Sequence, residues 1–195
     1  MKLTSYKSLS DGYREIYRFD STGDMKKVII KYAVILILCF AVALPINFLY
    51  IPLSITFGNS DGNGLNINLV ILIVLCVLYV FLREAVRVVA MKLSGAKDFV
   101  FGYADRNFYI VSKDYYDRGS YIFVALAPAI FWGVVFGIVA FAVPDRLFWI
   151  PFSLLAGPIY DVICELYFIR HIPRRASDIL VTKQGSVMKV YSKNV

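Results

Sequence analysis

The sequence predicts an all-α polytopic membrane protein, with four transmembrane helices and one small cytoplasmic β-hairpin between helices 2 and 3. Three observations carry that expectation. Of 195 residues 59% are hydrophobic, with a mean hydropathy of +0.66, whereas a soluble domain is nearer 45–50% apolar. Four apolar stretches reach the roughly 20 residues needed to cross a ~30 Å hydrocarbon core. The lysines and arginines gather in alternate connections between those stretches, the arrangement that orients a membrane protein.

The chain opens with a cytoplasmic N-terminal segment, residues 1–27. Its Tyr6, Tyr13, Tyr17 and Phe19 read either as an amphipathic piece lying on the membrane or the hairpin, or as a disordered one. This polar stretch precedes the first apolar run, which argues against a cleavable signal peptide. The membrane domain, residues 28–168, then begins. Its first span runs from about Val28 to Tyr50, with Pro45 expected to kink it by removing a backbone donor. A glycine- and asparagine-rich loop, Gly58 to Gly64, follows. The second span starts near Leu65 and ends near Leu93, the third covers roughly Tyr121–Val143, and the fourth roughly Leu147–Phe168.

Between the second and third spans, at about 97–112, Phe99–Tyr103 and Phe108–Val111 are strand-like and flank a turn at Ala104-Asp105-Arg106-Asn107. A hairpin is expected there, with an irregular aromatic loop as the alternative. The C-terminal tail, residues 169–195, ends in a strand-like Met188–Tyr191.

Charge sets the orientation. Lys2, Lys7, Arg14, Arg18, Lys26, Lys27 and Lys31 lie at the N-terminal end. Lys92, Lys97, Arg106, Lys113 and Arg118 lie between spans two and three, and Arg170, Arg174, Arg175, Lys183, Lys189 and Lys193 in the tail. The two remaining connections hold only Arg146. Both termini are therefore expected in the cytoplasm, with Ser60 and Asp145 outside. The formal charge of +7 follows this pattern, so no nucleic-acid partner is expected; the expected localisation is a multi-pass protein of the cell membrane. Cys39, Cys76 and Cys164 fall in apolar runs and read as buried small hydrophobes. Trp132 and Trp149 read as lipid-facing or interfacial anchors. Gly133 and Gly137 have the spacing that lets helices approach closely, inside the bundle or in a homodimer.

The spans carry charge of their own. Arg83, Glu84 and Arg87 close the second, and Asp161 and Glu165 lie in the fourth. A charge at the centre of a bilayer helix costs ~2.5–3.5 kcal/mol on insertion scales, so such residues are candidates for function. Arg83 and Arg87 share one helix face, as do Asp161 and Glu165. Counted from the outer ends, Arg83 is 14 residues past Leu69 and Asp161 is 13 past Phe148. At ~1.5 Å per residue both sit about 20 Å deep. One reading is a structural ion-pair cluster of Arg83, Glu84, Arg87 and Asp161, with Glu165 either joining it or solvated beside Arg170. The other is a polar functional site.

Arg83-Glu84-Ala85-Val86-Arg87 is also the H-E-x-x-H zinc-peptidase pattern with both histidines replaced by arginine. Together with the aromatic hairpin, Leu126-Ala127-Pro128, and Ala156-Gly157-Pro158-Ile159-Tyr160-Asp161, it resembles the small bacterial membrane proteins described as putative zincin peptidases. Those are distantly similar to site-2 proteases. The resemblance covers roughly Val70–Tyr191. It implies that the two positions of Arg83 and Arg87 would be zinc-ligating histidines, Asp161 the third ligand, and Glu84 the general base. Guanidinium has no lone pair for a metal, and a catalytic zinc takes three ligands from His, Cys or carboxylate. Zinc is therefore not expected, nor any other cofactor, and His171 in the tail is expected at the surface. The resulting expectation is a pseudoprotease, with no catalytic residue, that binds a membrane partner or substrate helix. Alternatives are a small transport, channel or immunity-type protein using the ions as a polar path, or an active metallopeptidase with non-standard ligands.

Overall fold

The computed structural model describes residues 4–20, 25–58, 66–104, 107–173, 178–184 and 187–193. The chain divides into two compact units. A sheet-bearing unit comprises Met1–Met25, Glu84–Pro128 and Ile163–Val195; a helical unit comprises Lys26–Arg83 and Ala129–Val162.

The helical elements are α1 (Met25–Leu49), α2 (Leu53–Phe57), α3 (Ile67–Leu93), α4 (Arg118–Ala142), a 3-10 turn at Asp145–Leu147, α5 (Trp149–Leu154) and α6 (Ala156–Arg170). Among the described residues, three runs are long and apolar enough to cross a membrane: Ile67–Leu93, Arg118–Ala142 and Asp145–Arg170. Helix α3 begins at Ile67 because Asn66 caps it, its Oδ1 accepting from the amides of Asn68 (3.0 Å) and Leu69 (3.3 Å). The glycine-rich loop read at 58–64 lies, beyond Gly58, outside the described residues, as does Leu65.

In the helical unit a small core joins Ala140, Phe148 and Trp149 to Ala43, Ile46, Ile51, Phe57 and Phe152. Trp149 is 2% exposed and donates its indole N–H to the carbonyl of Ile51 at 2.9 Å. That corrects its reading as a lipid-facing anchor: the ring is large enough to fill this core, and its one donor finds a backbone partner there. The apolar faces of α3 are by contrast exposed, as at Ile73, Val77 and Phe81. The same outward facing corrects the cysteines, since Cys76 is exposed and Cys39 and Cys164 are half-buried. The span expected over Leu147–Phe168 is broken at Leu155. Pro158 has no amide for the carbonyl of Leu154, so the ladder is interrupted and resumes with the Ile159 amide on Leu155 at 3.1 Å.

The molecule is mostly helical, as expected, but the sheet-bearing unit carries more strand than the one hairpin read from the sequence. It holds a five-stranded antiparallel sheet in the order β1-β5-β6-β7-β2, built from β1 (Ser5–Tyr6), β2 (Arg14–Asp20), β5 (Tyr115–Asp117), β6 (Ile179–Gln184) and β7 (Val187–Ser192). Over Arg14–Asp20 the N-terminal segment is thus not disordered; it forms β2 and pairs with the tail. Separately, β3 (Phe99–Ala104) and β4 (Asn107–Ser112) form an antiparallel two-stranded ribbon with Phe101 opposite Ile110. Asp105 and Arg106 of its turn lie outside the described residues.

Two caps fix the helix ends in this unit. Gly95, at φ 91°, ends α3, with its amide on Lys92 and that of Ala96 on Met91, the bond pair of a Schellman motif. Asp117 starts α4 by accepting from the amides of Gly119 (3.0 Å) and Ser120 (3.3 Å). The unit's core gathers Met91, Tyr116, Tyr121, Val124, Phe168, Ile172, Val181, Met188 and Val190. Strand β7 alternates half-buried and buried positions, the period of a strand covered on one face.

Candidate functional site

The charged residues singled out from the sequence sort into two sets, one in each unit. In the helical unit Arg83 on α3 places Nη1 2.9 Å from Oδ1 of Asp161 on α6. The other oxygen of Asp161 accepts from the Tyr79 hydroxyl at 2.8 Å. Tyr79 and Arg83 are four residues apart and so present both donors from one face of α3. Asp161 is 7% exposed and Tyr79 8%, and the ring of Tyr79 packs edge-on to Trp132. Gly157, one turn before Asp161, makes room for this: a Cβ there would lie 2.6 Å from the Tyr79 ring.

In the sheet-bearing unit Glu84 is 5% exposed and Glu165 7%. Arg87 donates through Nη1 to both oxygens of Glu84, at 2.9 and 3.1 Å, one turn away on α3. Oε2 of Glu84 also accepts from the Ile110 amide of β4 at 3.2 Å. The residue that the resemblance makes a general base therefore holds the β3–β4 ribbon against α3 by a backbone hydrogen bond. Nη2 of Arg87 stands 3.8 Å from Glu165. Glu165 is gripped by Lys183 of β6, whose ammonium reaches both oxygens at 2.8 and 2.9 Å and sits 4.0 Å over the Phe168 ring.

Glu165 is thus buried and paired. A neighbouring Arg170 had suggested solvation as one reading, but the partner is Lys183, delivered from the tail by strand pairing. Tyr79, Lys183 and the Ile110 amide were not found from the sequence. Tyr79 did carry a signal, its four-residue spacing to Arg83. His171 is stacked in an aromatic cluster with Tyr17 and Phe19, its Nδ1 2.7 Å from the Tyr167 carbonyl. Among the described residues no three His, Cys, Asp or Glu side chains lie close enough together to hold a metal ion.

Gly133 on α4 faces Pro158, where an added Cβ would make ordinary contact at 3.7 Å; one at Gly137 would meet nothing within 4 Å.

No significant match to a curated protein or to a solved structure was found. A protein-family model with the description "Putative zincin peptidase" matches residues 76–176. That stretch is more than half of the chain and runs from the helix of the Arg83–Arg87 motif through the ribbon to Asp161 and beyond. The chain belongs to the putative zincin peptidase family.

Proposed function

We propose that this protein is a non-catalytic member of its family, a pseudoprotease of the cell membrane that binds a membrane partner or substrate helix. The observation that carries the reading is the state of Asp161. Both of its oxygens are held by protein donors, Arg83 and Tyr79, and one of those donors stands where the family motif has a histidine. Guanidinium is permanently protonated and offers a metal no lone pair. The residues present therefore do not fit a catalytic zinc, and no hydrolytic step is derived through one. Arg83 and Arg87 instead supply two positive charges to the carboxylates a dication would have neutralised. What remains is a scaffold with buried ion pairs and a β-ribbon, suited to recognition. Similarity to site-2 proteases belongs to this proposal.

The proposal includes four spans with both termini in the cytoplasm. Sheet topology supports it by parity. Strands β2, β5 and β6 belong to one hydrogen-bonded sheet, which lies on one side of a bilayer. Two apolar helical runs, α4 and the Asp145–Arg170 run, separate β5 from β6, an even number of crossings. Between β2 and β5 stand α1 and α3; with α3 crossing, a crossing by α1 as the fourth span returns the chain to the side of the sheet. The loops rich in lysine and arginine are then the cytoplasmic ones.

Elemental analysis of the purified protein, beside an Arg83→His, Arg87→His double variant, tests the metal question. The expected outcome is no zinc in the wild type and near-stoichiometric zinc in the variant. Zinc bound stoichiometrically by the wild type would overturn the proposal and restore an active metallopeptidase with other ligands.

A further inference from the structure

A half-open cavity of about 110 Å³ lies wholly within the sheet-bearing unit, lined by Arg87, Glu165, Lys183, Tyr116, Tyr121 and the apolar side chains of Met91, Ile110 and Val124 among others. Tyr121 is 4% exposed and Tyr116 5%; among the described residues neither hydroxyl makes a hydrogen bond of 3.5 Å or less, and that of Tyr116 has only a looser contact with the Ser112 side chain. Leaving a buried hydroxyl unpaired costs roughly as much as losing a hydrogen bond, so two at one cavity ask for an explanation. Tyr121 lines the space together with Glu165, Arg87 and Lys183, the residues of its polar end.

The donors and acceptors at that end are unequal. Each oxygen of Glu84 and Glu165 already accepts from Arg87, Lys183 or the Ile110 amide. Among the described residues Arg87 directs only Nη1 into close hydrogen bonds, and Lys183 uses two of its three protons on Glu165. With the two tyrosines the cavity has donors in surplus, while each carboxylate oxygen at that end already accepts at least one bond and Ser112 Oγ in the lining accepts from the Asp114 amide. The lining sets Arg87 and Lys183 against Glu165, and Glu84, behind the lining, holds Arg87 through both of its oxygens; with Glu84 counted the formal charges balance, so an added full negative charge would compete with Glu84 for Arg87. Donor surplus with charge balance selects a neutral acceptor, and the walls of Met91, Ile110 and Val124 select an apolar stem. A cavity of ~150 Å³ takes benzene, so about 110 Å³ has room for about four or five heavy atoms.

We infer that this cavity is a binding site for a neutral carbonyl group of side-chain size on an apolar stem, an amide foremost, held by Tyr116, Tyr121, Arg87 and Lys183. The site uses atoms other than Asp161 and its donors, so the zinc measurement and the test below can fail separately.

The test is titration of the full chain in lipid nanodiscs, with tyrosine labelled at the ring carbon that bears the hydroxyl and followed by NMR. Propionamide and propionate, nearly equal in size, are the probes. Two tyrosine resonances are expected to shift saturably with propionamide, at least tenfold more weakly with propionate. Tyr121→Phe and Tyr116→Phe each remove one hydroxyl from a retained ring, assign those resonances, and are each expected to weaken propionamide about tenfold. A capped Ala-Gln-Ala peptide distinguishes the source: binding tighter than propionamide assigns a partner's side chain, and weaker binding assigns a free small amide. No saturable shift with propionamide, equal response to propionate, or indifference to both tyrosine substitutions would overturn the inference.

Discussion

At the scale of single residues, Gly157 and Tyr79 form a unit that the sequence conceals. The charges at Arg83 and Asp161 are visible in an apolar run, because every ion there is conspicuous. A tyrosine among leucines and valines is not, and neither is a glycine beside a proline. Yet Asp161 keeps its second hydrogen bond only because the Tyr79 ring crosses the space over Gly157. Gly157→Ala places a methyl 2.6 Å from that ring and forces it off Asp161. Overpacking of this kind costs about 1–3 kcal/mol, and thermal unfolding in nanodiscs should show it as a clear drop in midpoint. Tyr79→Ala alone should also destabilise. The double variant should then lose less than the sum of the two, because the methyl has nothing left to strike. Strictly additive losses would show that the close approach is not what Gly157 is for.

At the scale of elements, the helices were legible and the sheet was not, for a physical reason. A spanning helix satisfies its own backbone and advertises itself by local hydropathy. The five-stranded sheet draws β1 and β2 from one end of the chain, β5 from the middle and β6 and β7 from the other end, so no local stretch encodes its pairing. Only Met188–Tyr191 and the Phe99–Val111 ribbon had enough alternation to read as strands. Tyr17 and Phe19 are two apart in β2, a strand period, but the interleaved Arg14, Glu15 and Arg18 masked it. Lys183 was missed for the same reason: its grip on Glu165 exists only once β6 has joined the sheet. The junction of sheet and helix at Asp117 also offers a test. Its carboxylate accepts from Thr4 Oγ1 at 3.1 Å and from the Ser120 hydroxyl besides the two amides. Burial raises its pKa, but these hydrogen bonds outweigh burial and hold it below the ordinary value of 3.8. A depressed folded pKa means that the stabilisation is complete well above the unfolded value of about 3.9 and fades as pH falls through the lower folded value. Asp117→Ala should cost about 0.5–2 kcal/mol near neutrality, and this difference from wild type should shrink below about pH 4. Asp117→Asn, an equally good cap, should cost little at neutral pH and flatten the acid limb. Midpoints recorded across pH 3–7 decide it, and an alanine deficit unchanged down to pH 3 would show that the carboxylate's charge contributes nothing.

At the scale of the whole molecule, charge pattern and sheet topology are independent constraints that agree. Counting lysines and arginines groups the N-terminal segment, the connection after α3 and the tail together. The hydrogen-bonded order β1-β5-β6-β7-β2 groups the same three regions without reference to charge. A sheet cannot be divided by a bilayer, because each open edge within hydrocarbon would strand unpaired amides and carbonyls. Both support the proposed orientation, with the termini in the cytoplasm and Asp145 outside. Single cysteines at Ser10, Asp145 and Lys193, all exposed, introduced into a chain lacking Cys39, Cys76 and Cys164, test it with a membrane-impermeant maleimide on intact spheroplasts. Cysteine at 145 should label from outside, and cysteines at 10 and 193 only after lysis. Labelling of 10 and 193 from opposite sides would break the sheet argument. Labelling of 145 from the same side as both would break the count of crossings, and with it the burial of Arg83 and Asp161 in a bilayer.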